Sequence, residues 1–188
     1  MKTYLRTLQL GLLMILAGLV TLSHAERWNY RIGEEAPAFN LTSLDGKPVS
    51  LADYNGKIIV MSFMTSWCPF CNAAAPYFEQ IRKQYQDKGV QTLIVDVHEE
   101  NGPIAKFVKK HNLTCPVALD VDGKTTERYA PPPTIAPDLK REEAMIASFI
   151  IVDRQGKIRF LSLNEDMAKF DAKLTKLRKR LDALLVEK

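Results

Sequence analysis

Residues 66–71 read SWCPFC, placing Cys68 and Cys71 three positions apart in a 188-residue chain that has only three cysteines. On a helix this spacing puts both sulfurs on one face. Such a pair could open and close a small ring as a redox couple, supply half of a metal site, or form a static staple. A staple is the poorest account, because a two-residue spacer closes almost no loop and so constrains the unfolded chain very little. The redox account has a local rationale. Pro69 suits the first position of a helix, which would leave Cys68 at the helix start, where unpaired N–H groups and the dipole favour a thiolate. Only the thiolate attacks a disulfide. Cys68 is then the attacking thiol, and Cys71, one turn in and facing the core, the resolving one.

The elements that must hold this pair follow from the hydrophobic pattern. FNLTSLDGKPVSL alternates around Asp45-Gly46, a hairpin signal. KIIVMSF (57–63) is a continuous apolar run too short for a helix, so it predicts a strand covered on both faces. After Pro69 a helix is expected on Ala75, Phe78 and Ile81, with Pro76 deleting one rung. QTLIVDV (91–97) predicts a second buried strand, Ile104–His111 a short helix, and PVALD (116–120) a third strand closed by the turn at Asp120–Gly123. Ser148–Asp153 and Lys157–Leu163 predict another hairpin. Met167, Phe170, Leu174, Leu177, Leu181 and Leu184 predict a closing amphipathic helix with a basic, solvated outer face. This order describes an α/β sandwich, a central sheet with helices on both faces and an N-terminal β-hairpin. APPPTIAPD (130–138) carries four prolines and is expected to be a stiff extended insert.

Residues 1–25 differ in kind. Lys2 and Arg6 precede an apolar run, Leu8–Leu22, and Ser23 and Ala25 then stand three and one before a cut, as in a secretory signal. The alternative is an uncleaved anchor, which would make the protein membrane-attached, although the run is short of the roughly 20 apolar residues that span a bilayer. Residues 26–188 would form the single domain. The formal charge of +4 owes two units to Lys2 and Arg6, and nothing in it argues for nucleic acid. An exported chain lives where disulfides persist.

The succession IGEEAPAFNLTSLDGKPVSLADYNGK, VMSFMTSWCPFC, PVALDVDGK and FIIVDRQGKI resembles the exported TlpA-like and ResA-like thiol–disulfide oxidoreductases of the thioredoxin superfamily. The likeness runs from Ile32 to about Leu163, on the framework Gly33, Pro37, Phe39, Gly46, Gly56 and Trp67-Cys68. It implies a thioredoxin-like mixed sheet, a redox-active Cys68–Cys71 disulfide, and Trp67 as a cover beside it, with Pro69 and Phe70 supporting. It also implies a periplasmic or extracytoplasmic location, protein thiol and disulfide substrates, a membrane-bound electron donor, and neither cofactor nor metal. Apolar Phe70 between the cysteines leans toward a reductant, as the resemblance does.

Several positions depart from that pattern. Met64 stands where Trp is common, and Phe70 where Pro is. Ala74 replaces the family's Glu three residues after the second cysteine, and Ser62 the buried acid thioredoxin keeps six before the first. Both carboxylates that could relay the Cys71 proton are thus missing; Asp96 and Glu99, at the end of the neighbouring strand, are candidates in their place, though surface solvation is expected of either. The family's cis-proline falls at about Ala147; a cis bond before a non-proline residue costs about 2.5–4 kcal/mol, so a trans Ile146–Ala147 is expected. Two rivals use the same thiols. A peroxiredoxin-like peroxidase would place Thr65 three before Cys68, though Met61 stands where its proline belongs. A copper carrier would add His98 or His111, neither at ligand spacing to the pair. Cys115 is expected to pack inertly.

Overall fold

The computed structural model describes residues 31–132, 134, 138–163 and 169–187. The signal-like segment, residues 133 and 135–137 of the proline-rich insert, and Met167 lie outside the described residues. Seven strands form one mixed sheet: β1 (Asn40–Ser43), β2 (Pro48–Ser50), β3 (Ile58–Met64), β4 (Val90–Val97), β5 (Val117–Asp120), β6 (Ser148–Val152) and β7 (Ile158–Ser162), in the order β2-β1-β5-β4-β3-β6-β7. β3, β4 and β5 run parallel, in a register that sets Met64 beside Asp96 and Asp96 beside Leu119. β6 joins β3 antiparallel and β7 follows as a hairpin. The first hairpin turns where expected, with Gly46 at a φ of 81° that suits glycine.

Every residue of β3 is buried, because both faces of the sheet are covered. Side chains alternate between them. Ile58, Val60 and Met64 join Ile94, Cys68, Cys71 and Phe78 on one face, and Ile59, Met61 and Phe63 join Leu93, Val95 and Tyr129 on the other. The first face is covered by three helices: α1 (Pro69–Tyr85), α2 (Asn101–His111) and, through Leu177, Leu181 and Leu184, the closing helix. α3 (Lys124–Tyr129) and a 3-10 turn at Glu143–Met145 cover the second. Full burial of a side chain such as Phe78 or Ile81 stabilises by about 1.5–3 kcal/mol, so α1 is held by its apolar stripe more than by propensity.

Three features depart from the sequence pattern. α3 was unsignalled, because Thr125 and Thr126 are weak helix formers. Its start is fixed from outside the helix, where Asp120 accepts from the N–H groups of Thr125 and Thr126 and from the Thr126 hydroxyl. The closing helix, α4 (Thr175–Val186), is shorter than the stripe predicted. Leu174 caps it with a left-handed φ of 56°, so Phe170 lies outside it. The residues before β1, read only as a polar lead-in, pair with the second hairpin: Gly33 N–H donates to Ile158 O and Ile158 N–H to Glu34 O, at 2.8 and 2.9 Å.

Candidate active site

Cys68 is the N-cap of α1, and Pro69, exposed, takes the first helical position as expected. The Cys68 sulfur accepts from the Cys71 N–H at 3.3 Å, the place a serine or aspartate oxygen fills at an ordinary helix start. The Cys71 thiol donating to it, and then the N–H groups of Cys71 and Phe70, outweigh burial and hold the Cys68 pKa down at about 6. Cys71 moves the opposite way. Burial first, and then the anion of Cys68, push it well above an ordinary thiol, against the pull of the Thr65 and Ala147 N–H groups. One sulfur is therefore a thiolate at neutral pH while its partner keeps a proton.

Neither sulfur is wide open, Cys68 being 4% exposed and Cys71 1%. Trp67 stands out beside them, 67% exposed, so it flanks the pair as a platform more than it covers it. Phe70 is half-buried, and the ring of Phe170 meets it edge-on at 5.1 Å. The segment before α4 thus closes over the motif, a contact that the heptad-like stripe could not reveal.

The loop Thr65–Trp67 is tied from two sides. Asn72 donates to the carbonyls of Ser66 and Cys68, both at 2.9 Å. Its own carbonyl accepts from Lys110 at 2.8 Å and contacts His111 Nε2 at 2.9 Å, joining the end of α2 to the start of α1. Glu99 accepts from both the N–H and the hydroxyl of Ser66. Asn72 and Glu99 gave no motif signal; Asn72 directly follows the second cysteine, which is the only hint.

Asp96 and Glu99, expected at the solvated surface, are buried: Asp96 is 0% and Glu99 8% exposed. The physical reason is that Asp96 alternates with Ile94 onto the helix-covered face of the sheet, while Glu99 turns in to the N–H and hydroxyl of Ser66. Burial, and then the neighbouring Glu99, push the Asp96 carboxyl up to about 8. Ala147 shows no cis bond before it, none occurring among the described residues, and it takes a left-handed φ of 67°. Its N–H donates to Phe63 O at 2.8 Å. The backbone therefore reaches the thiols by a route that proline, fixed near −65°, could not follow.

The other sequence candidates lie elsewhere. Cys115 is buried in the core near Glu79, and burial raises it to about 12, in keeping with an inert packing role. His98 contacts the Val121 carbonyl and Glu142, and His111 turns to Asn72. Among the described residues no group of three or more potential ligands assembles a metal site, and no helix is long and apolar enough to cross a membrane.

Residues 32–161 match the model of the AhpC/TSA family. A thiol-disulfide oxidoreductase ResA of Bacillus cereus is 30% identical over 152 residues, which is 78% of this chain and 81% of that protein. The solved structure of a secreted Mycobacterium tuberculosis disulfide oxidoreductase homologous to E. coli DsbE superposes with a TM-score of 0.63 at 28% identity, covering 78% of this chain and 96% of its own. Peroxidoxin BcpB of the same organism superposes at 0.66 with 17% identity, covering 84% and 99%, a likeness of fold alone.

Proposed function

Since the chain belongs to the AhpC/TSA family and is a ResA-like thiol–disulfide oxidoreductase of thioredoxin-like fold, we propose that Cys68 and Cys71 are its exchanging pair. The observation that carries this is the opposed protonation of two sulfurs one helical turn apart. Cys68 attacks a substrate disulfide as a thiolate and forms a mixed disulfide. Cys71 then attacks Cys68, closing the Cys68–Cys71 bond and releasing the substrate thiol. Trp67 offers the substrate an exposed apolar face, while Pro69 and Phe70 set the helix start and its packing.

The same reading makes the protein an exported reductant. Residues 1–25 direct it out of the cytosol, and residues 26–188 form its working domain. Protein disulfides are its substrates, and a membrane-bound donor returns its electrons. No cofactor is needed, since the two sulfurs carry both electrons. A reductant suits the apolar Phe70 between the cysteines, which adds no charge or hydrogen bond to stabilise the reduced thiolate further. The peroxidase reading keeps Thr65, three residues before Cys68, and a likeness of fold alone to a peroxidoxin.

The test is a Cys71→Ser variant of the full chain, challenged with disulfide-bonded protein. It accumulates mixed disulfides on Cys68, separable by gel shift under non-reducing conditions and abolished by Cys68→Ser. Absence of adducts in Cys71→Ser, with exchange unimpaired in Cys68→Ser, would overturn the assignment.

A further inference from the structure

We propose that Asp96 is the proton acceptor for Cys71 in the resolving step, an assignment that rests on the dithiol function proposed above. Cys71 must lose a proton before it can attack, and although Cys68 is no longer an anion once it is in the mixed disulfide, burial still holds that proton on. Ala74 and Ser62 stand at the two positions where related proteins keep an acid, so any internal base must come from another strand.

β4 supplies it. Asp96 is fully buried, and alternation along the strand puts it with Ile94 on the face that holds Cys71. It stands in register with Met64, and Thr65, the next residue, bears on the Cys71 sulfur with its N–H. A strand spacing of about 4.8 Å plus one peptide step keeps the Asp96 backbone within roughly 10 Å of that sulfur, before its side chain is counted. The Thr65 hydroxyl is likewise buried and without a partner among the described residues.

The remaining buried acids are already engaged. Glu79 binds Thr114 and Arg82, Asp120 caps α3, Asp153 binds Arg159, and Glu99 holds Ser66. Asp96 alone among them takes no hydrogen bond from a donor group among the described residues; its polar neighbour is the Glu99 carboxyl, with which it can share only a proton. An unpartnered buried carboxylate is costly and favours holding a proton, in agreement with its raised pKa of about 8. The titratable group that acts on it is Glu99, beyond the end of β4, and Cys68 and Cys71 lie on the same face of the sheet. α2 presents buried Ile104 and Phe107, its Lys106, Lys109 and Lys110 are exposed, and its His111 is turned to Asn72. β3 contributes Ser62 and Met64, and β5 Leu119.

In the step, the Cys71 S–H proton passes to the Asp96 carboxylate and the Cys71 sulfur attacks Cys68. The Cys68–Cys71 bond forms as the Cys68–substrate bond breaks, and the electron pair leaves on the substrate sulfur, which takes up a proton. The enzyme dithiol loses two electrons and the substrate disulfide gains two.

The full chain is loaded on Cys68 with thionitrobenzoate, and release of the dye by Cys71 is followed across pH. The wild type accelerates with pH up to an inflection near 8. Asp96→Asn slows release at neutral pH by about tenfold or more and loses the inflection. Asp96→Glu restores most of the rate, and alkylation of Cys68 is unchanged in both. Release from Asp96→Asn at the wild-type rate with the wild-type profile would overturn the proposal. If Cys71→Ser releases the dye as fast as wild type, the dithiol function itself fails and the proposal with it. In unmutated protein, the carbon-13 carboxyl resonance of Asp96 titrates differently in the dithiol and disulfide forms; identical curves would also overturn the assignment.

Discussion

Ser66 gives both of its donors to Glu99: the hydroxyl binds one carboxylate oxygen at 2.6 Å and the backbone N–H binds the other. The residue that sets the approach to Trp67-Cys68 is thus pinned from beyond the end of β4, 33 positions away in sequence. Hydrogen bonds to a charged acceptor are worth about 1.5–3 kcal/mol each when buried, so this carboxylate, with Asn72 on the other side, sets the loop's position.

Glu99→Ala removes that acceptor and leaves the Ser66 donors unpaired. The expected loss is about 2 kcal/mol in urea unfolding of the reduced protein, against about 1 kcal/mol for Glu99→Gln, which keeps a neutral acceptor. Equal stability of all three proteins would show that the loop is held by other contacts.

Alkylation of Cys68 follows its thiolate, so its rate climbs with a midpoint near pH 6 and levels off above neutrality. Cys71 stays unmodified throughout that range. The linked stability has a definite sign. A thiol pKa depressed from 9.0 to about 6 adds stability that is complete above pH 9 and is lost as pH falls through about 6. Mass spectrometry of timed iodoacetamide quenches gives the profile, and denaturant melts of the reduced protein give the stability.

Asp96 contributes with the reverse slope. Its carboxyl is raised from 3.8 to about 8, so the folded chain holds a proton that the unfolded chain has shed, and stability falls as pH rises between those values. Asp96→Asn removes this loss and is expected to stabilise the protein by about 1–3 kcal/mol at pH 7. The difference should vanish below about pH 4. Urea melts at both pH values check the prediction.

Ala147 is held at a φ of 67°, a region costing roughly 1–2 kcal/mol for a residue with a Cβ. Ala147→Gly relieves that cost and gives back part of it as unfolded-chain entropy, for a net gain of about 0.5–1 kcal/mol. Ala147→Pro cannot adopt the angle and forfeits the hydrogen bond to Phe63, a loss of about 3 kcal/mol. Thermal melts of both variants decide it.

Phe170→Ala takes away the ring that meets Phe70 edge-on. Such pairs add about 0.5–1.5 kcal/mol beyond the area they bury, so a loss of about 2 kcal/mol is expected, whereas Phe170→Leu loses about half of it. Denaturant midpoints measure both, and Cys68 alkylation shows whether the motif becomes more open.

Much of this protein was legible as a string of letters. The run Ile58–Phe63, the helix opening at Pro69, the turns at Gly46 and Gly123, and the place of Cys68 at the helix start all rest on short-range rules. Apolar period, proline's missing N–H and the electrostatics of a helix start act within a few residues of one another. α3 and the true start of α4 escaped, because Asp120 caps the first from outside it and a left-handed Leu174 cuts the second short. The site divides in the same way. Which sulfur is held as a thiolate follows from its place at the helix start. Whether Asp96 and Glu99 meet water, how Phe170 closes on Phe70, and how Ala147 brings its N–H to the thiols depend on segments dozens of residues apart coming together. Local sequence governs the conformation a residue takes, but only the packed chain fixes which groups lose their water, and desolvation is what turns a surface carboxylate into a holder of protons.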